Sequence, residues 1–190
     1  SPISSMATPP SPTAIPRPAL PAGDSPWDET AWQRLETRTL QAIAGRAEDV
    51  ALHRLRRQAR GIMRAFTTGF FLATRFLPNE KRGQVELIYA AVRYPDEIVD
   101  SFPLPTAERL ARLDDWQRFY ETGLAASTIA DCLAAGVPTI LAGFTRVVRE
   151  AGIPQEHYRD FLAAMRHDAA PGTFATLGEL VDRYVHGSAI

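Results

Sequence analysis

Apolar residues along the chain recur three and four positions apart, the spacing of one helix face. Nowhere do they alternate strictly between turn signals, as a half-buried strand would. Ser25-Pro26-Trp27-Asp28 predicts a helix start, with Ser25 as N-cap, Pro26 at the first helical position and an acid in the first turn. Trp32, Leu35 and Ile43 mark the buried side of that helix. A second helix is predicted over residues 47–66. Its stripe is Val50, Ala51, Leu55, Ala59, Ile62 and Phe66, while Arg54, Arg56, Arg57 and Arg60 face elsewhere as a solvated cluster or a phosphate or partner contact. Residues 70–77 predict a short helix or the start of a bent one, and Pro78 opens a long helix over residues 79–100.

Beyond Pro103 and Pro105, Thr106 is the expected cap of a helix carrying Leu110, Leu113, Trp116 and Tyr120. Val137-Pro138 opens another, with Ile140, Leu141, Phe144, Val147 and Val148 as its core face. Gly152-Ile153-Pro154 ends it and starts the next, along which Tyr158, Phe161, Leu162 and Met165 recur helically. Thr176-Leu177-Gly178-Glu179 has the capping-box pattern and leads into Leu180 and Tyr184. The fold class expected is all-α.

Composition narrows the setting. Hydrophobic residues make up 45% of the 190 and charged ones 23%, as in ordinary globular domains. A net charge of −1 gives no global field toward nucleic acid, so no nucleic-acid partner is expected. Cys132 is the lone cysteine, which excludes a disulfide framework and suits a reducing, cytoplasmic setting. No apolar run is long enough for a membrane-spanning helix. Residues 1–26 hold eight of the fifteen prolines and read as a disordered, Pro-rich leader, leaving residues 27–190 as one helical domain.

Chemistry concentrates at the end of the long helix. Asp96 and Asp100 are four residues apart, so on a helix they share a face. They sit in its last turns, where the macrodipole disfavours negative charge. A cation between them reverses both penalties, and oxygen-only ligands with room for water and phosphate suit Mg²⁺. The alternative is a solvated acidic helix end. Arg93, three residues before Asp96, either contacts a phosphate or simply pairs with that aspartate.

Around these acids the chain resembles the squalene/phytoene synthase family. The block TTGFFLATRFLPNEKR from Thr67, then IYAAVR from Ile88, leads into DEIVD. Phe70, Leu77-Pro78, Arg82, Tyr89, Arg93, Asp96 and Asp100 follow the family's spacing without a gap. GIPQEHYRDFLAAMRHD from Gly152 and TFATLGELVDRYVHGSA from Thr173 are similar to its middle section. The likeness runs from about residue 50 to residue 190.

The resemblance implies an isoprenoid-synthase-type helical bundle that condenses two allylic isoprenoid diphosphates head to head with Mg²⁺. It implies Asp96 and Asp100 as metal ligands, with Glu97 assisting through water. Tyr89, Arg93 and Tyr184 would be catalytic; Phe70, Arg93 and Met165 would bind substrate, with Asp168 a structural acid. It also implies peripheral membrane contact for product release, and a homo-oligomer or a complementary chain.

Three features depart from the family pattern. Phe66-Thr67-Thr68-Gly69 stands where the family sets serine with lysine or arginine. Pro95 lies inside the helix, where proline costs about 3 kcal/mol and disfavours helical angles at Tyr94. A second aspartate-rich helix is not in the sequence, so the chain reads as the front part of a larger domain, inactive alone. On that expectation Phe70, Tyr89, Met165 and Tyr184 lack an opposite wall and add to an exposed apolar patch. The alternative function is a non-catalytic relative acting as scaffold or assembly partner.

Overall fold

The computed structural model describes residues 25–170. Tyr184, the helix expected from Thr176 and most of the Pro-rich leader lie outside the described residues. Within them there are eight α-helices and no strand, as the periodicity predicts. Their order is α1 (Glu29–Ile43), α2 (Glu48–Phe66), α3 (Thr68–Thr74) and α4 (Asn79–Asp100), followed by α5 (Thr106–Ala125), α6 (Ile129–Ala134), α7 (Thr139–Glu150) and α8 (Gln155–Ala169). No helix among the described residues is long and apolar enough to cross a membrane.

α4 is the axis of the bundle. It packs against α2, α5, α7 and α8, and 12 of its 22 residues are buried, far more than a one-sided surface helix shows. The predicted faces of α7 and α8 are buried as expected, and Tyr120, Phe144 and Tyr158 meet with ring centroids 4.6–5.9 Å apart. Close approach of α7 depends on Gly143: a Cβ there would stand 2.7 Å from Leu87 Cδ2 and 3.4 Å from Leu55 Cβ.

Several helix ends are satisfied by side chains distant in sequence. α7 begins after Pro138 without a local cap, and Glu36 of α1 takes the Thr139 N–H at 2.9 Å and the Thr139 hydroxyl. Glu48 of α2 likewise accepts the Ile129 N–H of α6 and pairs with Arg146 of α7. Arg82 on α4 closes α3 by donating to the carbonyls of Thr74, Arg75 and Leu77 at 3.2, 2.9 and 3.0 Å. The Leu-Pro-x-x-x-Arg run is thus a structural clasp: proline opens one helix while arginine ties down the end of the other.

The structure corrects several sequence expectations. The N-cap of α1 is Asp28, which accepts the Ala31 N–H at 2.8 Å, so Ser25 is left for a contact elsewhere. Ser25 and Pro26 are among the described residues, and the Ser25 hydroxyl donates to Glu97. Thr106 is the first residue of α5 and its side chain makes no cap. Val50 is 41% exposed, because Ala51 rather than Val50 points at α2's neighbours. α6 was not foreseen; its capping box, Thr128 with Asp131, carries aspartate in place of the usual glutamate.

Pro95 does not break α4, and Tyr94 stays helical. Proline offers no N–H to the carbonyl four residues back, which is that of Ala91. The Tyr158 hydroxyl of α8 donates to that carbonyl at 2.5 Å, and itself accepts the Trp116 indole N–H at 2.8 Å. α8 therefore supplies the hydrogen bond that the proline withholds.

Of the four residues expected in an exposed patch, Tyr184 lies outside the described residues and the other three are not exposed. Tyr89 and Met165 are buried at 5% and 4% exposure and Phe70 is half-buried, packed against the same core.

Candidate functional site

The candidate site is the face of α4 that carries Tyr89, Arg93, Asp96 and Glu97 at helical spacing. Phe70 of α3, Phe66 at the end of α2 and the segment before α1 complete it. Arg93 is its hub. Its Nε and Nη2 donate to the Tyr89 hydroxyl at 3.1 and 2.9 Å. Its Nη1 reaches Asp96 Oδ2 at 2.8 Å and Glu97 Oε1 at 3.5 Å. The guanidinium lies 5.1 Å from the centre of the Phe66 ring and 5.4 Å from that of Tyr89. The Phe70 ring stands 6.0 Å from Tyr89, extending the aromatic wall.

Asp96 and Glu97 are buried, at 2% and 3% exposure, so they are not a solvated helix end. Asp100, one turn further on, is exposed. Two adjacent buried carboxylates are tolerable because each has a partner. Glu97 accepts the Ser25 hydroxyl at 2.6 Å in addition to its contact with Arg93. Next to Ser25, the Trp27 ring packs edge-on against Trp32 and Phe66, centroids 5.2 and 5.3 Å apart. Residues 25–28 thus form a strap over one side of the acidic turn.

Burial pushes the Tyr89 phenol above its ordinary value, and Arg93 pulls it only partway back. Tyr89 therefore keeps its proton at neutral pH. For Arg93, burial acts downward, but Tyr89, Asp96 and Glu97 outweigh it and hold the group firmly cationic.

The structure gathers Phe70, Tyr89, Arg93, Asp96 and Glu97, with Asp100 one turn away at the exposed end of α4. Met165 is in the buried face of α8, a helix that packs on α4, and Asp168 is half-buried on the same helix. Among the described residues no three His, Cys, Asp or Glu side chains converge to hold a metal ion unaided. The donor set still suits a hard cation that keeps waters or phosphate oxygens, because Asp96 and Asp100 offer oxygen ligands one turn apart. Glu97 is held by Ser25 and Arg93.

Ser25, Trp27 and Phe66 were not foreseen as neighbours of the site. Ser25 reads as a helix cap and Phe66 as the end of a core stripe, and nothing local signals a contact across 72 residues. Thr67, in the segment that departs from the family pattern, acts locally. Its hydroxyl accepts the Phe70 N–H at 3.3 Å and caps α3.

Comparison with known proteins agrees with the resemblance. A family profile described as squalene/phytoene synthase matches residues 63–190. A 15-cis-phytoene synthase of Synechococcus elongatus is 29% identical over 123 residues, 65% of this chain and 37% of that protein. A phytoene synthase of Arthrospira platensis is 30% identical over 121 residues, 64% of this chain and 36% of that one. The matched part is little more than a third of either relative's length. No solved structure matches the chain.

Proposed function

Since the chain belongs to the squalene/phytoene synthase family, we propose that the Tyr89–Arg93–Asp96 face serves terpenoid biosynthesis by holding the diphosphate of an allylic isoprenoid substrate. The observation that supports this reading most is the buried hub: one arginine joined to a tyrosine hydroxyl and two acids, beside three aromatic rings. Arg93 offers a planar set of N–H donors suited to phosphate oxygens. Tyr89 receives two of those N–H groups, so its own proton is free to go to an oxygen of the departing diphosphate. Asp96 and Asp100 would hold Mg²⁺, which when bound neutralises developing diphosphate charge. Phe66, Phe70 and the Tyr89 ring supply an apolar wall that excludes water and presents π faces to an allylic cation.

Calorimetric titration with farnesyl diphosphate, with and without Mg²⁺, tests the proposal. Metal-dependent binding is expected for the chain and at least tenfold weaker binding for Asp96→Asn/Asp100→Asn. Equal binding by that variant would rule the face out. A second reading, a scaffold that binds prenyl diphosphate without condensing it, draws on Thr67, whose hydroxyl is used to cap α3. Binding without turnover of a farnesyl or geranylgeranyl substrate is the outcome that distinguishes it.

A further inference from the structure

Residues 25–28 lie over one side of the acidic turn without belonging to a helix. They also precede residues 63–190, the part of the chain that the family profile matches. Among the described residues, the backbone of residues 25–27 hydrogen-bonds to no other element. Two side chains hold this segment instead. The Ser25 hydroxyl donates to Glu97 Oε2 at 2.6 Å, and the Trp27 ring packs edge-on against Trp32 and Phe66. Both anchors reach Arg93 in one step. Glu97 Oε1 lies 3.5 Å from Arg93 Nη1, and the guanidinium sits 5.1 Å from the centre of the Phe66 ring.

The site beneath is closed. The side chains of Asp96 and Glu97 are 3% and 4% exposed, and that of Arg93 is 12% exposed. Every guanidinium nitrogen of Arg93 already has a partner: Nε and Nη2 the Tyr89 hydroxyl, Nη1 the acids. A diphosphate therefore reaches Arg93 only if something that covers it moves. α4 is fixed by its packing on α2, α5, α7 and α8, whereas residues 25–27 are held by one hydrogen bond and one indole. The serine hydroxyl also has two places to go. Its second acceptor is the Trp27 carbonyl at 2.9 Å, so leaving Glu97 does not strand its proton. Asp28 is the fixed point, tied to α1 by its capping bond to the Ala31 N–H.

From this combination we propose that residues 25–27 are a lid on the Arg93 site, hinged at Asp28, latched by Ser25 on Glu97 and seated by Trp27. The inference rests on the reading of that site as the diphosphate face. Opening withdraws the indole from Phe66, bares one edge of the aromatic seat of Arg93, and frees Glu97 Oε2 for a hydrated cation. The carboxylate that loses its hydroxyl partner then meets the water or cation that enters, so it is not left buried and bare. Reclosure over a bound substrate excludes water from an allylic cation. Access to the site is thereby set by a segment before α1 and not by movement of the bundle.

Acrylamide quenching and stopped-flow binding on the full chain test the lid. The chain has three tryptophans, and Trp32 and Trp116 are 3% and 5% exposed, so the readily quenched emission reports Trp27. Ser25→Ala should raise that quenching and speed the association of farnesyl diphosphate with Mg²⁺ about tenfold, because it removes a hydrogen bond to a charged group from the closed state. Ser25→Thr keeps the hydroxyl and should restore both values. Quenching that Ser25→Ala leaves unchanged overturns the lid. Higher quenching with an unchanged association rate also overturns it and would make the segment a structural clasp. Binding by Ser25→Ala and not by the parent chain supports the lid outright. Binding by neither protein overturns the diphosphate reading and the lid with it, whereas binding by both at one rate overturns the lid alone.

Discussion

Replacing Tyr158 by phenylalanine tests how α4 carries a proline next to its acidic turn. The hydroxyl serves two groups at once, the Ala91 carbonyl at 2.5 Å and the Trp116 indole N–H at 2.8 Å. Tyr158 and Ala91 are at 0% exposure and Trp116 at 5%, so water does not readily replace the lost contacts. A buried polar group left without a partner costs about 1–3 kcal/mol, so losing both contacts in Tyr158→Phe should destabilise the chain by about 2–6 kcal/mol. That is a large share of the stability of a typical domain. Pro95→Ala supplies the missing N–H to Ala91 from within the helix. In the Tyr158→Phe background it should therefore recover the Ala91 part, giving a coupling of about 1–3 kcal/mol in the double-mutant cycle. The Trp116 part should remain. Urea unfolding of the four proteins, followed by helical circular dichroism, measures each term from the midpoints at constant slope. A Tyr158→Phe cost under about 0.5 kcal/mol, or additive effects of the two changes, would refute the account.

Arg93→Ala leaves Asp96 and Glu97 buried without their shared cation and should cost about 3–5 kcal/mol in urea unfolding. A loss under about 1 kcal/mol would mean that the acids are solvated in the folded chain. Glu36 gives a pH prediction. Burial raises its carboxyl above the ordinary 4.5 against two hydrogen bonds from Thr139, so the folded chain holds this proton more tightly than the unfolded one. Its contribution is fully present below that ordinary value and is lost as pH rises through the folded one. Glu36→Gln should accordingly gain stability relative to the parent chain as pH goes from acidic to neutral; parallel stability–pH curves would contradict this.

How much of this was legible in the sequence depends on the range of the contact. Helix α4 reads to the residue, because Pro78 and the Pro103/Pro105 pair bracket an unbroken apolar pattern. The cluster Tyr89, Arg93, Asp96 and Glu97 reads as well, since spacing along one helix fixes its shared face. The partners that make those residues tolerable came from far away in the chain. Ser25 is 72 residues from Glu97, Tyr158 is 67 from Ala91, and Glu36 is 103 from Thr139. Each involves a polar atom whose need for a partner follows from burial, and burial is set by packing that no local pattern contains.

Pro95 shows what this does to inference from a motif. Alone, the proline argues that α4 bends away and that Asp96 points elsewhere than the family pattern implies. That argument assumes the helix must satisfy its own backbone. In the folded chain it need not, because a tyrosine on α8 supplies the bond and an indole on α5 holds that tyrosine's oxygen. The acidic turn and the hydrophobic core therefore form one mechanical unit, in which a single hydroxyl deep in the bundle sets the backbone four residues before Pro95, one turn upstream of Asp96.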